Sequence, residues 1–269
     1  MQESIAQDIN LVLWGNAVLG AIAADNPSRE ELEFPQPATF LDLRKEDSSW
    51  RQMPYAPDPM TWLERLRGEG AEALQLLYEA SQNSEIPDRI AIVFPGGGGH
   101  WLVEVVKSTG CDYWRSRWRW SERDQRWEVA YGRILCNHPR LASPMRTIPP
   151  DTIRAELLTH LDRMTEFAAN HDQETFARTF DLTRQMLNSC GSLTGEERPW
   201  PVSRLAELCQ QLLSAVEVAW VFGGMGSWND LTFSGDSQTE YETLSDTLYQ
   251  LLNTAIVVAV NSSAIAPVS

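Results

Sequence analysis

Apolar positions near the start of the chain recur every three to four residues. Leu11, Trp14, Val18, Leu19 and Ile22 share one face, which predicts an amphipathic helix over about residues 4 to 24, ending near Asn26-Pro27. The next stretch, Asn26 to Pro59, holds six prolines and many charges; it reads as a long wrapping connection with a short helical turn near Ser28 to Glu31. Asp58-Pro59 places a capping carboxylate before a proline at the first helical position. A second helix is expected there, carrying Trp62, Leu66, Leu74, Leu77 and Tyr78, with Gly68 and Gly70 as its weak point.

From Pro87 the period changes to two. Arg89 to Phe94 forms an apolar β run, Pro95 to Gly99 a loop, and His100 to Lys107 a second strand before the turn Ser108-Thr109-Gly110. Asp112 to Trp120 and Trp127 to Leu135 follow as a third and a fourth strand. The simplest connectivity is a four-stranded antiparallel meander over about residues 87 to 136.

After Pro149-Pro150 the helical period returns. Ile153, Leu157, Leu161 and Met164 mark one helix; Phe176, Phe180, Met186 and Leu187 a second; Leu205, Leu208, Leu212, Val216 and Trp220 a third. A fourth carries Tyr241, Leu244, Leu248, Leu252, Ala255 and Ala259 behind a capping box, Ser237 to Glu240. The expected fold is α+β: N-terminal helices, a four-stranded antiparallel meander and a C-terminal four-helix bundle. Residues 1–148 form the α+β region and 149–269 the bundle, docked into one compact unit.

The hairpin between the third and fourth strands has the most informative pattern. Trp114, Ser116, Trp118 and Trp120 point one way, and Tyr113, Arg115, Arg117 and Arg119 the other, so one face is core and the other cationic. Closing the loop around Glu122 to Gln125 sets Trp120 opposite Trp127, Trp118 opposite Val129 and Arg119 opposite Glu128. The same register sets Arg117 opposite Ala130 and Arg115 opposite Gly132, and brings Cys111 and Cys136 together at the open end.

Charge sharpens that picture. The chain has a net charge of -15, yet residues 111 to 140 hold seven arginines against four acids, a net of +3, leaving 15 basic and 33 acidic residues elsewhere, a net of -18. An anionic surface opposes general nucleic-acid binding. It suits a protein partner with a basic surface, while the arginine face suits a small anionic ligand. Four scattered cysteines without a C-x-x-C pair are expected to be reduced thiols and no metal site. No signal segment or membrane-length apolar run is evident, so the expected compartment is the cytoplasm, without membrane attachment. Oligomeric state is open, because Ile256 to Val260 fits a bundle core or a dimer contact equally well.

Gly96 to Gly99 follows an apolar run but matches neither phosphate-loop signature, and reads as a flexible hairpin loop. The segment Phe222 to Asp230 carries three glycines, with Trp228 as an aromatic platform beside Asn229 and Asp230. The expected function is therefore a non-enzymatic binding or interaction protein, using Arg115, Arg117 and Arg119 together with Trp228, Asn229 and Asp230. No cofactor and no catalytic residue are assigned. The alternative is an enzyme acting on an anionic small molecule or RNA in a cleft between sheet and bundle. Arg133-x4-His138 and Arg154-x5-His160 resemble the R-x4-6-H spacing of helical-bundle ribonucleases of the HEPN type, and Arg154 and His160 converging with carboxylates would mark such a cleft.

Overall fold

The computed structural model describes residues 1–20, 36–46, 49–81, 85–94, 96–189 and 205–264. Its first helix, α1 (Glu3–Leu19), is buried on nearly all sides. Ile5, Ile9, Leu11, Val12, Leu13 and Val18 share the interior with Gln7, Asp8, Asn10 and Asn16, so this helix runs through the molecule. The helical turn expected near Ser28 lies outside the described residues.

The sheet has six strands, in the order β2-β1-β6-β5-β4-β3. These are β1 (Ala38–Glu46), β2 (Ser49–Ala56), β3 (Ala71–Glu79), β4 (His100–Lys107), β5 (Gly110–Ser121) and β6 (Arg126–His138). β1 runs parallel to β6, and every other pair is antiparallel. Only β4, β5 and β6 survive from the expected four-stranded meander. The proline-rich connection contributes β1 and β2, and it concealed them because β1 alternates buried Phe40 with a buried acid, Asp42, instead of a second apolar residue.

Two further expectations are corrected. The second helix, α2 (Pro59–Gly68), begins as predicted, with the Thr61 amide donating to Asp58 Oδ1 at 2.9 Å. It ends at the glycine pair, where Gly70 takes φ +80, and the apolar run beyond it is β3. Leu74, Leu76 and Leu77 are all buried because both faces of β3 are covered there, so the run carried no alternation to betray a strand. Arg89 to Phe94 is no strand either. Residues Asp88–Ala91 form a short helical turn, α3, whose backbone bonds close onto Pro87 and Asp88.

The C-terminal helices are α4 (Pro150–Asn170), α5 (Glu174–Asn188), α6 (Glu207–Ala219) and α7 (Asp236–Asn261). They do not match the expected four-helix bundle exactly, because α7 packs on β3 and α1 as well as on α4 and α6. Ile256 to Val260 are buried in that junction. α7 starts at Asp236, so the expected capping box is unused; Gln238 Oε1 instead accepts the Phe233 amide at 2.8 Å.

One core runs from α1 through the inner face of the sheet to α7. On the sheet side it is aromatic: Phe40 stacks on Trp62 at 4.5 Å and on Tyr131 at 5.3 Å, while Trp114 meets Phe40, Tyr55 and Trp62 edge-on. The outer edge of β3 is closed by two asparagines. Asn16 Oδ1 accepts from Leu74 N at 2.7 Å and its Nδ2 donates to Leu74 O at 2.9 Å; Asn261 treats Leu76 the same way at 2.6 and 3.0 Å. At Leu74 and Leu76 the edge is therefore closed to pairing with another strand.

Candidate functional site

The β5–β6 ribbon is the longest pairing in the sheet and outreaches its neighbours. β4 pairs with β5 only from Gly110 to Trp114, and β1 pairs with β6 only from Val129 to Arg133. From Arg119 to Glu128 the ribbon therefore carries only its own ladder. Its register is as expected: Arg115 with Gly132, Arg117 with Ala130, Trp118 with Val129, Arg119 with Glu128 and Trp120 with Trp127. Cys111 instead lies opposite His138, because two irregularities around Tyr113 shift the register at the ribbon's base. Cys111 is buried, Cys136 is exposed, and both are free thiols.

The tryptophan face is core only at its root. Trp114 is fully buried, Trp118 and Trp127 are half-buried, and Trp120 is 42% exposed. Trp120 and Trp118 meet Trp127 edge-on at 5.6 and 6.3 Å.

Arg115, Arg117 and Arg119 are all exposed on the opposite face. Arg119 donates to Glu128 at 2.6 Å, a hydrogen bond that holds the Glu128 carboxyl below its usual range. Arg115 donates to Nδ1 of His100, at the start of β4, at 2.8 Å. For Arg117 no hydrogen bond or ion pair is formed among the described residues. Arg126, opposite Ser121, is exposed on the same side. Ala130 and Gly132 leave little bulk beside this row, although Leu43 of β1 fills the place of a Gly132 side chain, lying 2.6 Å from where its Cβ would stand.

Nearer the base the same face is closed. The chain after β6 folds back here: Leu141 packs with Leu77, Leu102, Tyr113 and Leu135, and its amide donates to Tyr113 Oη at 2.7 Å. Glu104, fully buried on β4, anchors it: Glu104 accepts from Tyr113 at 2.6 Å, Arg146 at 2.7 Å and Arg140 at 3.1 Å. On the inner face Arg133 joins Asp42 at 3.0 Å and Asp112 at 3.2 Å, and Lys107 joins Asp112 at 2.8 Å. Sequence spacing singled out neither cluster, yet each had a signal: an acid or a base standing alone within an apolar strand.

The second group of expected residues is placed differently. Trp228 is fully buried, ringed by Phe167, Phe176, Phe180 and Tyr241, and its indole donates to Ser245 at 2.7 Å. Its ring face is therefore turned into the core and away from solvent. Asn229 donates to the Arg89 carbonyl at 2.6 Å, and Asp230 accepts from the Gly226 amide. Arg89, itself buried, reaches Asp246 at 2.6 Å. Asn229 thus ties the segment before α7 to α3, and no hydrogen bond, ion pair or ring contact among the described residues joins it to the arginines of β5.

The loop at Gly96 to Gly99 is packed, contrary to the flexible hairpin expected. Tyr78 and Tyr249 both donate to Gly98 O, at 3.2 and 2.7 Å, and a Cβ on Gly97 would stand 2.0 Å from Ala91 O. Arg154 donates to Leu187 O at 2.7 Å, and His160 is buried against Leu244 O at 2.9 Å, so these two side chains serve helix packing and do not meet in a cleft. Desolvation pushes the His160 imidazole below its usual range. The depression between α4 and α5, about 320 Å³, is lined by Thr165, Ala177, Arg178, Asp181, Leu182 and Gln185, away from both expected groups. Among the described residues no group of three or more His, Cys, Asp and Glu is placed to hold a metal ion, and no helix is long and apolar enough to cross a membrane. The chain matches no family model, and no curated protein or solved structure is significantly similar to it.

Proposed function

We propose that this chain is a non-enzymatic binding protein whose contact surface is the arginine face of the projecting β5–β6 ribbon, and that its partner is anionic there. The observation that carries this reading is the open row of Arg115, Arg117 and Arg119, with no helix over it among the described residues, in a chain otherwise strongly acidic. Exposed guanidinium groups gathered on one side of an anionic molecule steer an oppositely charged surface to that side and repel it elsewhere. The acidic remainder disfavours a long polyanion such as RNA, which would run off the ribbon onto like charge. The free thiols of Cys111, Cys136 and Cys209 suit a reducing compartment such as the cytoplasm.

The test is co-purification from the native host with wild type and an Arg115→Ala/Arg117→Ala variant. Neither side chain bears on the core, so the variant keeps its melting temperature and loses the partner. Equal capture by both proteins refutes the assignment of the face.

A further inference from the structure

We infer that the arginine face takes an extended acidic peptide strand of a protein partner, with carboxylates on alternating residues; this rests on the reading of the ribbon given above. Arg115, Arg117 and Arg119 stand at every second residue of one strand, so their side chains leave the backbone about 7 Å apart along the ribbon. An extended peptide laid over the face presents its own alternate side chains at the same interval of about 7 Å, one carboxylate to each arginine. A helix repeats one face at i, i+3 and i+4, rises of about 4.5 and 6 Å, and falls out of step with the row.

The surroundings fit a strand laid beside this row. Ala130 leaves room next to Arg117, Leu43 over Gly132 closes one end of the trough, and Glu128 closes the other by holding Arg119. The three positions therefore differ in readiness. Arg117 is free among the described residues and Arg115 is held only by the His100 ring, whereas Arg119 must be won from the Glu128 carboxylate. The ribbon's own tryptophans, Trp118, Trp120 and Trp127, lie on its other face, so they give single-stranded nucleic acid no stacking platform beside the cationic track.

The experiment is a fluorescence-anisotropy titration of the full chain, at low ionic strength, with three labelled probes. One is a peptide of about nine residues alternating glutamate and threonine, one its isomer repeating Glu-Glu-Thr-Thr, in which no two glutamates stand two residues apart, and one a short oligouridylate. The alternating peptide binds best, about tenfold tighter than its isomer; Arg117→Ala weakens it about tenfold, and Glu128→Gln, which releases Arg119, strengthens it about threefold. Equal binding of the two peptides, tighter binding of the oligouridylate, or no gain from Glu128→Gln overturns the strand inference while an anionic partner at this face still stands. Binding of all three probes that ignores Arg117→Ala overturns both.

Discussion

Asp8 is a carboxylic acid inside the core. It is 2% exposed, on α1, and accepts the phenolic O–H of buried Tyr131 at 2.5 Å. Desolvation outweighs that hydrogen bond and pushes its pKa from 3.8 up to about 7. Because the folded value lies above the unfolded one, the stability this site contributes is fully present below pH 3.8 and is lost as the pH rises through about 7. At about 1.4 kcal/mol per pH unit, the loss is about 1.6 kcal/mol at pH 5 and about 4.3 kcal/mol at pH 8. Asparagine keeps an acceptor for Tyr131 and does not titrate. Asp8→Asn should therefore gain about 2.7 kcal/mol on the wild type between pH 5 and pH 8. Urea unfolding of both proteins at intermediate pH values measures this gap, and other titrating groups cancel in the difference. A gap that stays constant within about 0.5 kcal/mol, or a variant that falls behind as the pH rises, refutes the buried, protonated state.

Three further perturbations test the frame around the ribbon. Glu104→Leu strands the charges of Arg140 and Arg146, and should cost about 3–5 kcal/mol in urea unfolding and open residues 139–147 to proteolysis before the rest of the chain. Asn16→Ala leaves the amide and carbonyl of Leu74 without partners on the edge of β3, a loss of about 2–4 kcal/mol that hydrogen exchange should localise to that amide. Gly97→Ala drives a methyl group into the Ala91 carbonyl and should cost more than about 2 kcal/mol, whereas Gly224→Ala, with open space around it, should change the melting temperature little.

The ribbon was legible in the sequence because both its faces wrote the same register: apolar against apolar on one side, arginine against glutamate, alanine and glycine on the other. That agreement located Arg115, Arg117 and Arg119, and only the displaced pair at Cys111 escaped it, since an irregularity at Tyr113 leaves no trace in an alternating pattern. Trp228 was a different matter. A tryptophan among glycines has the composition of a binding loop, and its burial depends on Phe167, Phe176 and Phe180 arriving from two other helices.

Sequence alone thus determined what depends on neighbours along the chain: the start of α2 at its Asp58 cap, the four C-terminal helices, the β5–β6 pairing and the concentration of positive charge upon it. The tertiary structure decided what depends on partners far away. β3 is a strand because layers on both faces bury it, β1 joins β6 in parallel across the chain, Arg154 and His160 are absorbed by helix packing, and the chain after β6 folds back on the base of the arginine face while its outer part stays open. Burial and coverage are set by long-range packing, and local periodicity carries no record of which surface another element will reach.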